Sequence, residues 1–223
     1  MKATFIIIAC ITFVAFTPPE KTDYKKVFGS NYTWAVNWLK QNDELIHEYA
    51  SAFNIPDKEL KAIVFPELIR YNSFFNALEV ESLKFLYVTE GKHYADFSVG
   101  YFQMKPSFGE LVEHDAFYLL PVKYRSECGW KHRITDDEGS RKARVKRLSN
   151  IRQQLIYLCA LYKLCEIRFS SFTNSAEERV RLFATCYNAG YRRSYESLKA
   201  FMSKNHYHGY NYSSVSAYYF VQE

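Results

Sequence analysis

Residues 62 to 73, Ala-Ile-Val-Phe-Pro-Glu-Leu-Ile-Arg-Tyr-Asn-Ser, set a carboxylate, Glu67, inside an apolar run directly after a proline. The turn Asn54-Ile55-Pro56-Asp57 starts a helix. Leu60, Ile63, Val64, Glu67 and Tyr71 then follow at spacings of three and four, the repeat of one helical face. Glu67 therefore shares its face with core residues. Pro66 has no backbone N–H to give, so a kinked or irregular turn is expected beside the acid. A carboxylate on such a face is costly to bury unless it is hydrogen-bonded or opens into a cleft. Apolar neighbours raise a carboxyl pKa, and a glutamic acid still protonated near neutral pH is what a general acid requires. The competing reading is a surface carboxylate paired with Arg70 or Tyr71.

The chain has 223 residues, 48% of them hydrophobic, which suits one domain, or one domain with a lobe. Its 19 Tyr and 18 Phe serve sugar stacking as well as an ordinary core. Lys2, the apolar run Phe5 to Phe16 and the polar turn Thr17-Pro18-Pro19-Glu20 have the layout of a secretory leader, assigned to residues 1–17. The run falls short of the roughly 20 residues that cross a bilayer. The expectation is an exported protein of the bacterial periplasm or cell envelope, membrane-associated only if the leader is retained or lipidated at Cys10. Removing the leader takes away one cation, Lys2, and no acid, so the formal charge falls from +5 to +4. A mildly basic exported protein suits an anionic polymer such as a cell wall. Nucleic acid is the rival partner, resting on Arg141, Lys142, Arg144, Lys146, Arg147 and Arg152. Export argues against it, and such runs are usually solvated helix faces. Cys128, Cys159, Cys165 and Cys186 come after the leader, and an oxidising compartment permits up to two bridges among them. The last three lie in apolar helical segments, where buried thiols are the competing expectation.

Residues 18–41 read as a linker and helix, succeeded by a main domain over 42–223. Trp34, Trp38, Leu45, Ile46, Tyr49 and Phe53 predict one or two amphipathic helices with a break at Asn42-Asp43. Phe74 to Val88 predicts another helix, and Thr89 to Phe97 a loop. In FSVGYFQMKPSF, Phe97 to Phe108, Ser98 and Gly100 allow close backbone approach. Gln103 offers an amide and Met104 adaptable apolar contact, the pairing an acetamido sugar needs. The plainer reading is a helix ending at Pro106. Glu127 to Ser140 reads as an exposed connection, with Thr135 and Glu138, or Ser140, capping the next helix. Lys142 to Phe169 predicts that helix, apolar on most sides, as the central strut. Ser175 and Glu178 form a capping box for a helix that ends in Tyr187-Asn188-Ala189-Gly190. The tyrosine-rich tail reads as a loop and a short helix ending near Val221. His206 and His208 lack a third partner, so no metal and no other cofactor is expected.

Pro66-Glu67-Leu68, Ser98 to Met104 and Tyr187-Asn188-Ala189-Gly190, taken in that order, resemble the soluble lytic transglycosylase family of the lysozyme superfamily. The likeness runs from Asn42 to the C-terminus, with a divergent middle between Leu111 and Arg147. It implies a mainly α, lysozyme-like domain of the goose-type kind, built around a buried central helix. It also implies peptidoglycan glycan strands as the partner. Glu67 would cleave the bond between N-acetylmuramic acid and N-acetylglucosamine as acid and then base, leaving a 1,6-anhydro end. Ser98, Gly100, Gln103 and Met104 would line the sugar cleft with Asn188, and the Tyr187 hydroxyl would hold the proton or the orientation of Glu67. Two departures stand out: Leu68 where the family usually has Ser, and Tyr101-Phe102 where it has Leu-Met. The alternatives are a hydrolytic muramidase, with Asp96 or Glu90 orienting water, and a catalytically weak peptidoglycan-binding envelope protein.

Overall fold

The computed structural model describes residues 22–71, 73–130, 136–204 and 209–223, with backbone alone at 73–80. The leader, Thr135, His206 and His208 lie outside them. The described chain is mainly α-helical and holds no strand. It begins with α1 (Tyr24–Phe28), α2 (Ser30–Gln41), α3 (Asp43–Ala52), α4 (Asp57–Arg70) and α5 (Ser73–Glu90). It continues with α6 (Pro106–Leu119), α7 (Val122–Cys128), α8 (Glu138–Leu148) and α9 (Ile151–Phe169). A 3-10 turn (Ser170–Phe172), α10 (Ala176–Ala189), α11 (Tyr195–Met202) and α12 (Tyr212–Gln222) complete it. No described helix is long and apolar enough to cross a membrane.

Two helices, rather than one strut, organise the packing. α9 is apolar on most sides, as its sequence predicts, and meets α3, α4, α6, α7, α8 and α10. α4 is equally enclosed: it packs against α2, α3, α9, α10 and α12, and its residues from Ala62 to Ile69 are all buried. Pro66 lies inside α4. The proline withholds the N–H that would bond Ala62 O, and one turn later Tyr71 N–H closes the terminus on Glu67 O at 2.9 Å. The helix ahead of Asn42 shares this core, since Tyr32, Ala35 and Leu39 of α2 are buried with the residues of α4 and α9.

The predicted helix from Lys142 to Phe169 is divided. Asn150 turns extended and its side chain accepts from Gln153 N–H, so α8 stops at Leu148 and α9 starts afresh. Asp137, rather than the Thr135 or Ser140 expected from the sequence, caps α8 by accepting from Ser140 N–H at 2.9 Å. Ser175 caps α10 as expected, with Glu178 reaching back to Asn174 N–H. The tail holds one helix more than expected, α11, capped by Ser194.

The basic run is only half a solvated face: Lys142, Lys146 and Arg152 are exposed, while Arg141, Arg144 and Arg147 turn inward. Arg144 is 1% exposed and donates to Glu113 at 3.0 and 3.1 Å and to the Tyr87 hydroxyl at 2.6 Å. Arg147 donates to the same Glu113 at 2.6 Å and to Tyr157, while Arg141 donates to the carbonyls of Val88 and Thr89. These cations pin α8 to α5, α6 and α9. All four cysteines after the leader are buried free thiols, with no bridge among the described residues.

Candidate active site

α4, the turn ahead of α6, and the end of α10 enclose a cleft of about 660 Å³. Glu67, in the last turn of α4, lines it while only 4% exposed. Among the described residues no other acid lines it. Burial pushes its carboxyl up to about 7, against the milder opposing pull of Arg70 and of a hydrogen bond from Tyr212. Arg70 is a weak partner, since its guanidinium stands 3.4 Å from Oε2. The Tyr212 hydroxyl, delivered by α12, also lies 3.2 Å from Ile63 O, one helical turn below Glu67. The competing surface reading of Glu67 therefore fails on burial.

The segment Ser98 to Met104 forms a tight turn, not a helix. Val99 and Met104 exchange both backbone hydrogen bonds, at 2.9 and 3.1 Å, and the reversal uses positive φ at Gly100 (70°) and Gln103 (49°). Ser98, Gln103 and Met104 line the cleft as the resemblance implies. Met104 supplies buried apolar floor, and the Gln103 amide spends one donor on Gly100 O at 2.9 Å. Gly100 is not a lining residue. A Cβ there would stand 1.5 Å from Gln154 Nε2, so glycine is needed to admit the α9 side chain that holds the turn. Buried Gln154 accepts from Phe102 N–H at 3.0 Å and donates to Leu148 O.

Tyr187 and Asn188 also line the cleft, and the Tyr187 hydroxyl feels the charge of Glu67 but gives its hydrogen bond to a backbone carbonyl. It donates to Phe102 O, and its ring meets Phe108 at 5.4 Å. The bond ties α10 to the cleft turn, and burial pushes that hydroxyl far above its ordinary pKa. The tyrosine that donates a hydrogen bond to the acid is Tyr212, which no motif marks. Leu68 is fully buried in the core and lines nothing in the cleft, so the absent serine hydroxyl is a matter of local packing.

Sequence reasoning also missed the cationic end of the cleft, formed by Lys105, Arg192 and Arg193. Their only signal was adjacency to Met104 and to Gly190. Arg192 is held by Asp115, whose Oδ2 accepts from its Nε at 2.9 Å and from the Tyr191 hydroxyl at 2.8 Å. Burial raises the Asp115 carboxyl, but its hydrogen bonds to Arg192, His114 and Tyr191 outweigh that and bring it to about 2. Neither proposed water-orienting acid is among the lining residues, although Asp96 stands beside the cleft on its lining residues Ser107 and Lys105. Asp96 accepts from Ser107 N–H at 3.1 Å and Ser107 Oγ–H at 2.8 Å at the start of α6, and Glu90 is exposed at the end of α5. Among the described residues no group of three or more His, Cys, Asp or Glu is placed to hold a metal ion. No protein-family model, no curated protein and no solved structure matches the chain.

Proposed function

We propose that this protein is a lysozyme-like peptidoglycan lytic transglycosylase, exported to the cell envelope, with Glu67 as its acid and then its base. The observation that carries the reading is Glu67, the one acid that lines the cleft among the described residues, buried and with its carboxyl raised to about 7. Glycoside cleavage ordinarily employs two carboxylates, one of which activates water or forms a covalent adduct. A single acid suits a route that consumes no water. Glu67 gives its proton to the oxygen between N-acetylmuramic acid and N-acetylglucosamine as the C1–O bond breaks, and the substrate's acetamido oxygen supports the cationic centre. The Glu67 carboxylate then takes the proton of the C6 hydroxyl as that oxygen closes on C1. The acid is restored, and the products are a 1,6-anhydro end and a free 4-hydroxyl.

Each lining group has a use in this scheme. Met104 and Phe108 offer apolar surface to ring faces and an acetyl methyl, while Gln103, Ser98 and Asn188 offer hydrogen bonds. Lys105, Arg192 and Arg193 suit the carboxylates of lactyl groups and peptide stems. The nucleic-acid reading is left with half of its basic run, Lys142, Lys146 and Arg152, because Arg141, Arg144 and Arg147 are spent on internal partners. The deciding experiment is mass spectrometry of peptidoglycan digested by the wild-type protein. Ends lighter by one water than reducing muramyl ends are expected. Ends carrying that water would make the protein a muramidase, and intact glycan would leave only the binding protein.

A further inference from the structure

We propose that the aromatic strip Trp34, Tyr71 and Tyr101 is a further glycan-binding subsite, seating pyranose rings of the strand beyond the bond that is cut. The inference rests on the function proposed above and extends it outside the cleft. Trp34 stacks on Tyr71 with centroids 5.6 Å apart and planes 12° apart. Tyr71 meets Tyr101 at 4.6 Å, and Tyr101 meets Trp38 at 4.9 Å. The strip adjoins the cleft at both of its inner members: Tyr71 follows the lining residue Arg70, and Tyr101 sits in the turn whose Ser98, Gln103 and Met104 line it. Tyr71 N–H donates to Glu67 O, and Tyr101 precedes Phe102, whose carbonyl accepts from the Tyr187 hydroxyl in the cleft wall.

At its outer end Trp34 stays 40% exposed. One indole face lies on Tyr71, so the exposed surface belongs to the other face and the edge. The rest of α2's outer surface is unusual for this chain, in which 24% of residues are charged. Ser30, Asn31, Thr33, Asn37 and Gln41 are exposed and neutral, and Lys40 is the lone charge. Flat apolar rings rimmed by hydroxyls and amides match a pyranose, with its C–H face and its equatorial hydroxyls. A nucleic-acid partner would call for cations that this face, with Lys40 alone, does not supply. Trp34 contributes the stack, Tyr71 supports it, and the neutral amides supply orientation.

The test measures binding to a Glu67→Gln chain, in which cleavage is stopped, by calorimetry with two probes. One is the N-acetylglucosamine to N-acetylmuramic acid disaccharide, which fills only the cleft. The other is a preparation of long soluble glycan strands. Adding Trp34→Ala is expected to weaken the long strands about three- to tenfold, the worth of one ring stack, and to leave the disaccharide within about twofold. Trp34→Phe, which keeps a ring, should retain most of the affinity. Unchanged long-strand binding in Trp34→Ala would overturn the subsite while leaving the proposed function intact. So would an equal loss for both probes. Failure of the Glu67→Gln parent to bind either probe would remove the proposed function, and the subsite with it.

Discussion

Glu59 and Glu67 lie two turns apart on the same helix, are 2% and 4% exposed, and have opposite fates. Glu59 accepts from Arg179 through both carboxylate oxygens, with Nε at 2.7 Å, and from the Tyr162 hydroxyl at 2.6 Å. It rivets α4 to α9 and α10. Glu67 has one guanidinium at 3.4 Å and a raised carboxyl that keeps its proton near neutrality. Glu113 and Asp115 repeat the first pattern, each satisfied by arginine and tyrosine. Burial alone therefore does not mark the acid; the supply of partners separates a rivet from a proton donor.

The largest effect expected from this contrast is on rate. Glu67→Gln should lower peptidoglycan cleavage by about 10²- to 10⁴-fold, as loss of a general acid does, while the protein remains folded by circular dichroism. Glu59→Gln should do the reverse. It leaves Arg179 without its charge partner and should cost about 3 kcal/mol in urea unfolding, with the cleft's chemistry retained in the folded fraction. Comparable rate losses in both variants would collapse the distinction.

A smaller effect separates the two acids by pH. The Glu67 carboxyl rises from 4.5 to about 7 on folding, so between those values the folded state holds a proton that the unfolded state has released. Its contribution to stability therefore falls as pH rises through that window, by about 3 kcal/mol in all, and is constant above it. Glu67→Gln removes this dependence. The variant should be more stable than wild type by about that amount at pH 8 and nearly equal to it at pH 4. Activity tracks the same proton, and the basic limb of the rate profile should fall through pH 7. The smallest effect belongs to Tyr212→Phe. Losing a hydrogen bond that favours the carboxylate should move that basic limb to higher pH and change the rate by less than about tenfold. An unmoved limb would detach Tyr212 from the acid.

How legible each feature was in the chain depends on the range of its interactions. Helical phase put Glu67 on a buried face, and the caps at Ser175 and the break at Asn42-Asp43 were written in adjacent residues. The cleft turn was marked by Ser98, Gly100 and Gln103, but the role of Gly100 was not. Only the fold reveals that Gln154, from another helix, occupies the space a side chain would need. The Tyr187 hydroxyl was assigned to the acid because both stood in one pattern, whereas its acceptor is a backbone carbonyl that no pattern encodes. Tyr212 reaches α4 across 149 residues of chain. The inward half of the basic run was hidden because the acids of Arg144 and Arg147, Glu110 and Glu113, belong to a different helix.

The proton on Glu67 is the centre of the account, and carbon-13 NMR titration of the glutamate carboxyls, wild type against Glu67→Gln, reads it directly. One resonance, missing from the variant, should titrate near 7. If the resonance lost in Glu67→Gln titrates instead at 4.5 or below, as an ordinary surface glutamate does, Glu67 is not the proton donor described here.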